Sequence, residues 1–171
     1  FSGGSADFKD ANFNRNVIFR KTQFNNDADF TNTEYFGDAD FENANFIDNA
    51  SFVNSQFNRD AIFKFAQFRD EEKNNDNFAN FSGAKFGSGD IYIRWEYING
   101  DLDYDDEFYL SLIETYKKSG LFEDADDCYF YYRNVRQEMY DMGFLYKRID
   151  QFFGLSCGYG TKPTHALKMS F

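Results

Sequence analysis

The chain has 171 residues, with 24 Phe and 12 Tyr against one Trp and one Pro, and a net charge of −11. That length fits one or two small domains, and the negative charge repels phosphate backbones, so no direct binding of DNA or RNA is expected. Two cysteines, Cys128 and Cys157, make neither a disulfide framework nor a metal-ligand spacing, and no apolar run reaches the roughly 18 residues that span a bilayer.

Aliphatic residues are scarce, so the core must be built of aromatic rings. The reason lies in a repeat that begins near the start of the chain. Residues 6–71 fall without a gap into rows of eleven: ADFKDANFNRN, VIFRKTQFNND, ADFTNTEYFGD, ADFENANFIDN, ASFVNSQFNRD and AIFKFAQFRDE. The third column reads Phe8, Phe19, Phe30, Phe41, Phe52, Phe63, and the eighth reads Phe13, Phe24, Tyr35, Phe46, Phe57, Phe68. Two residues before each aromatic stands a small one, mostly Ala, with Val17, Thr22, Thr33 or Ser55 in its place. Aromatics spaced alternately five and six apart would wander around a helix. In a strand, the small residue and the aromatic two positions on face the same side. The intervening Asn and Asp then face outward or make turns.

The pattern resembles the pentapeptide-repeat family, whose unit is A(D/N)Fxx, over residues 6 to about 86. The resemblance implies a right-handed, four-sided β-helix in which the small residue and the Phe point inward and rings stack from coil to coil. The extra residue in every second unit makes a coil of about 22 residues, two more than four five-residue units. Phe8, Phe30 and Phe52 would then share one column, and Phe19, Phe41 and Phe63 the opposite one, in coils about 4.8 Å apart. The phase breaks at residues 71–77, expected to be an outward loop, and resumes with Phe78, Phe81 and Phe86 in a last partial coil. Residues 91–98 read as one closing strand.

The stretch DLDYDDE leads into a helix, with Asp105 or Asp106 as cap and carboxylates at its positive end. Residues 106–118 form an amphipathic helix with Phe108, Tyr109, Leu112, Ile113 and Tyr116 on one face, stopped by Gly120. A second helix is expected from Glu123 to about Tyr140, with Ala125, Cys128, Tyr129, Tyr132, Val135 and Met139 inward. A third is expected over Phe144–Phe153. Tyr109, Leu112, Tyr116, Gly120, Ala125 and Tyr129 resemble one tetratricopeptide hairpin, from which Tyr132 departs. One such unit is short of the three or more that stand alone, so it reads as a helical cap on the solenoid.

The charge reverses at the end: Lys147, Arg148, Lys162 and Lys168 face only Asp150 in residues 142–171. A basic, Gly-containing segment suits the approach to a membrane helix. Here the chain resembles archaeal and bacterial membrane proteins that join pentapeptide repeats, a Tyr-rich helical hairpin and a YGxxP segment, matched by Tyr159, Gly160 and Pro163. A two-helix ion-channel domain follows in those proteins. Gly158-Tyr159-Gly160 is no potassium filter itself, because no Thr-Val and no membrane helix precede it.

No catalytic, cofactor or metal site is expected. The one His, His165, lies in the tail, and no nucleophile triad can be built around it. Carboxylates are spread regularly over the repeat, and the cluster Asp101, Asp103, Asp105, Asp106, Glu107 lacks the spacing of a calcium loop. The organisation read from the sequence is therefore a β-helix with closing strand (1–98), a helical cap (99–155) and a basic tail (156–171). The chain begins at Phe1 without Met, inside the repeat, so a longer parent protein is expected. The expected role is a non-enzymatic structural and protein-interaction module with an unidentified protein partner, continuous with a membrane domain at the cytoplasmic face. Two alternatives are a DNA-mimicking protein that occupies DNA gyrase and a soluble scaffold.

Overall fold

The computed structural model describes residues 4–68, 79–100 and 102–139. The expected 71–77 loop, Phe78, the third helix, Cys157, His165 and the whole tail lie outside these residues. The chain divides into two compact units, with the boundary between Ser111 and Leu112.

In the first unit every repeat half contributes a strand of two residues. The first coil holds β1 (Ala6–Asp7), β2 (Asn12–Phe13), β3 (Val17–Ile18) and β4 (Gln23–Phe24). The second holds β5 (Ala28–Asp29), β6 (Glu34–Tyr35), β7 (Ala39–Asp40) and β8 (Asn45–Phe46). The third holds β9 (Ala50–Ser51), β10 (Gln56–Phe57), β11 (Ala61–Ile62) and β12 (Gln67–Phe68). A last coil adds β13 (Ala79–Asn80), β14 (Lys85–Phe86) and β15 (Ile91–Tyr92).

These strands stack into four parallel sheets, β1-β5-β9-β13, β2-β6-β10-β14, β3-β7-β11-β15 and β4-β8-β12. Ala6 pairs with Ala28 and Ala28 with Ala50, so one coil takes two rows of the repeat, as the resemblance implies. Ala50 then pairs with Ala79, a step longer by seven. That difference is the length of the 71–77 insertion, which leaves the register on either side intact. The step from Ala61 to its partner Ile91 is longer again by one, so a single further position enters before β15.

The two corners of each row differ, and this places the extra residue. After Phe8 the Ala11 N–H donates to the Phe8 carbonyl (3.0 Å), and the third turn residue, Asp10, has φ 57°. A positive φ at that position is the type II turn. The same left-handed corner recurs in every later row, at Lys21, Asn32, Asn43, Asn54 and Phe65. Asn and Asp tolerate this region and hold it in four of the six rows; Lys21 and Phe65 hold it against their own preference. The other corner, 14–16 in the first row, carries three residues where the tight turn carries two.

The closing strand is shorter than the sequence implies. After β15 the chain tightens into a 3-10 turn at Trp95–Tyr97 with Trp95 buried. A turn there brings Leu102 back to the first face, where it bridges Ala79 in parallel.

Helix α1 (Asp106–Lys118) starts where Asp105 accepts a hydrogen bond from the Phe108 N–H (2.8 Å), so Asp105 is the N-cap. It ends in a Schellman motif: Leu121 N–H to the Tyr116 carbonyl (2.8 Å), Gly120 N–H to that of Lys117 (3.2 Å), and Gly120 at φ 73°. Helix α2 (Phe122–Met139) follows. Ala125, Cys128 and Tyr132 are buried as expected, Tyr129 and Val135 are half-buried, and Met139 is 65% exposed. The buried stripe of the described helix runs through Asp124 and Gln137 instead.

Candidate functional site

The interior of the solenoid is filled by four columns of rings. Phe8, Phe30, Phe52 and Phe81 stack at 4.9, 5.0 and 4.8 Å between centroids. Phe13, Tyr35, Phe57 and Phe86 stack at 5.4, 4.6 and 5.1 Å. Phe19, Phe41 and Phe63 stack at 5.1 and 4.9 Å, and Phe24, Phe46 and Phe68 at 4.8 and 4.9 Å. Across the axis the rings meet edge to face, as Phe30 does Phe41 at 5.3 Å and 85°. Offset stacks along the column and edges across it are the two arrangements that an aromatic quadrupole favours. All twelve ring positions read from the sequence therefore line one interior.

The ladder does not stop at the last coil. Phe108, in the first turn of α1, stacks on Phe81 at 4.5 Å and 4° and tilts against Phe86 at 5.8 Å. A helix residue thus supplies the fifth ring of the first column.

Polar substitutes for the small residue are satisfied by the backbone. The Thr33 hydroxyl donates to the Phe8 carbonyl (2.9 Å) and the Ser55 hydroxyl to the Phe30 carbonyl (2.7 Å).

The exterior carries the variable residues. Along the face of β3, β7, β11 and β15, Ile18 is 70% exposed, and Arg20 bridges Asp40 and Glu42. Lys64 lies over the Tyr92 ring at 4.8 Å, and Phe65, 51% exposed, meets the Tyr97 ring edge-on at 5.7 Å. On the wide corner beside this face is a shallow cleft of about 750 Å³ lined by Asn14, Arg15, Asn16, Phe36, Gly37, Asp38 and Arg59. Arg15, Gly37 and Arg59 are equivalent positions on three successive coils. A Cβ at Gly37 would collide with the backbone N of Asn16, so only glycine fits there and no side chain stands between the two arginines. The floor is held by Asn16 and Asp38, whose side chain and backbone exchange bonds of 3.1 and 3.0 Å.

Residues 19–67 match the family model for pentapeptide repeats (9 copies). The solenoid is a pentapeptide-repeat domain. No curated protein and no solved structure matches the chain. Register and ring columns carry the pentapeptide-repeat architecture beyond the matched span, from Ala6 to Tyr92.

Tyr35 is the one exception in the pentapeptide-repeat ladder. It is fully buried, and its hydroxyl has no partner at hydrogen-bond geometry among the described residues. Burial pushes that hydroxyl well above the ordinary 10.0, with the Thr33 hydroxyl as a small counterweight. Replacing it should therefore help: Tyr35→Phe is expected to raise stability by about 1 kcal/mol, the relief of one unmade buried hydrogen bond. Above pH 10 the unfolded Tyr35 loses its proton while the folded one keeps it, so its contribution to stability falls as pH rises. In Tyr35→Phe that part of the alkaline loss disappears. Urea unfolding at pH 7 and 10.5 checks both; a less stable variant at pH 7 would refute the packing account.

Of the residues matched to a helical hairpin, Tyr109, Leu112, Tyr116 and Ala125 are buried, Gly120 ends α1 and Tyr129 is half-buried. Burial, and secondarily the charge of Asp124, drive the Cys128 thiol strongly upward, so it is an inert core residue rather than a nucleophile. Asp105 and Asp106 serve the helix start, where Asp106 accepts a bond from the Tyr104 hydroxyl (2.7 Å). No group of His, Cys, Asp or Glu among the described residues can hold a metal ion. The sequence reading did not bring the cleft residues together. Their signal was present in the third row, where TEYFGD puts Phe36 and Gly37 at corner positions held by polar or charged residues in the first and fifth rows.

Proposed function

We infer that the chain is a non-enzymatic structural and protein-interaction module, in which the pentapeptide-repeat solenoid is a rigid surface for another protein. The observation that carries this is the division of labour across the solenoid wall. The interior is filled by ring stacking, while exposed apolar side chains (Ile18, Phe36, Phe65) and cations gather on one outer face and its corners. An enzyme needs a concave pocket with convergent polar groups, and a DNA mimic needs an uninterrupted acidic surface. Arg15 and Arg59 break the acidic surface where the apolar residues lie.

The reversal of charge in residues 142–171 supports the finer reading that this module stands beside a membrane domain, as in the channel-linked proteins it resembles. No described helix is long and apolar enough to cross a bilayer. Photo-crosslinking in source cells tests the role. A benzophenone amino acid at position 18 or 65 should give a discrete crosslinked protein band, and one at position 7, on the first face, should not. Bands of equal strength from all three positions, or none, would refute a docking face. The parent's place is read in the same cells: recovery in carbonate-washed membranes supports the membrane-linked form, and a fully soluble protein removes it and makes gyrase supercoiling the next assay.

A further inference from the structure

We propose that the corner cleft between Arg15 and Arg59 is a binding site for an acidic, extended protein segment that carries an apolar side chain. The proposal rests on the docking-face reading above and names the site and the partner's chemistry.

Three observations converge on it. First, Arg15 and Arg59 are both exposed, and neither has an ion pair or hydrogen-bond partner among the described residues. In a chain of net charge −11, where acids are plentiful, two unpaired guanidiniums on one cleft are unused binding capacity. Arg20, on the adjoining face, shows the contrast, because it is held by Asp40 and Glu42.

Second, the glycine between them is imposed by the close approach to Asn16, so no side chain fills the middle of the cleft. Phe36, 46% exposed, stands at the edge of the cleft instead of packing inward. Apolar and cationic groups together select a ligand with both an apolar part and negative charge.

Third, the dimensions suit an extended chain. Two coil steps separate the arginine backbones by about 10 Å, and alternate side chains of an extended segment on one side lie about 7 Å apart. Two carboxylates at positions i and i+2 thus come within reach of the two long guanidinium side chains, each able to take a carboxylate bidentately. The cleft is too shallow to enclose a free small molecule, which would need most of its surface buried. A nucleic acid would bring many phosphates against the acidic faces around the cleft. Asp38, which also lines the cleft, is held to one side by Asn16.

The test is selection from a random peptide display library on the immobilised chain, followed by titration of the selected synthetic peptides. Two double variants are compared, Arg15→Glu/Arg59→Glu in the cleft and Lys9→Glu/Lys85→Glu on other faces, which change net charge equally. All four residues are outside the ring core, and melting curves confirm that each variant folds. The expected result is enrichment of acidic-x-acidic peptides with a neighbouring apolar residue. Their binding should weaken at least about tenfold in the cleft variant, the equivalent of about 1.4 kcal/mol, and hold in the control. Equal binding to both variants would overturn the site while leaving the docking role standing, since the crosslinking from positions 18 and 65 is an independent measurement. Enrichment of no peptide, or displacement of the selected peptides by millimolar inorganic phosphate, would overturn it as well.

Discussion

Phe41→Ala is expected to lower the unfolding free energy by about 3–5 kcal/mol, a large share of the roughly 5–15 kcal/mol that a domain has in total. Phe41 is fully buried at the centre of the solenoid. It stacks between Phe19 (5.1 Å) and Phe63 (4.9 Å) and takes the edges of Phe30 (5.3 Å) and Phe52 (5.4 Å). Alanine removes both faces of one stack and two edge contacts at once. The short strands around it bend at a corner on either side and have little means to collapse into the space. Phe41→Leu keeps most of the volume but none of the ring geometry, and a loss of less than half that of alanine is expected. Chemical denaturation of the two variants separates area from geometry. A loss for alanine below about 1.5 kcal/mol, under the usual range for a buried ring, would mean that the ladder is not what holds the coils together.

Phe108→Ala is expected to cost about 3–4 kcal/mol of local stability in the last coil while sparing the first two. The ring is 2% exposed and covers Phe81, which would otherwise present its free face at the open end of the column. In a solenoid each coil is supported by its neighbours alone, so an uncovered end frays before the middle does. Amide hydrogen exchange should therefore speed up at Ala79–Tyr92 and hardly change at Ala28–Phe46. Faster exchange spread evenly over all coils would show that Phe108 acts on the whole fold; no change at Ala79–Tyr92 would show that the ring is not a cap.

These two variants probe parts of the molecule that differ in how openly the sequence announces them. The ring columns are legible because one rule, small-x-aromatic with a spacing of five then six, repeats often enough to set coil length, register and the inward face together. The 71–77 insertion was legible for the same reason, since the phase resumes after it. Phe108 was readable only as an apolar position on α1. Nothing in its local pattern says that it continues a column begun at Phe8, because that depends on where the 3-10 turn at Trp95–Tyr97 and the Leu102 bridge deliver the chain. Met139 went the other way: helical spacing placed it inward, and it is exposed.

The sequence by itself determined the periodic features, namely the eleven-residue rows and an interior of rings, because both follow from spacing along the chain; the four-sided coil of two rows came from the family resemblance that those rows carry, and the parallel register agrees with it. Tertiary structure alone decided the features that compare one coil with the next. It put the extra residue in the wide corner, placed Gly37 between Arg15 and Arg59, stranded the Tyr35 hydroxyl among rings and seated Phe108 on Phe81. Positions one or two coils apart become neighbours only after the coils close, and a local reading of the chain has no term for what such neighbours leave empty or unpaired.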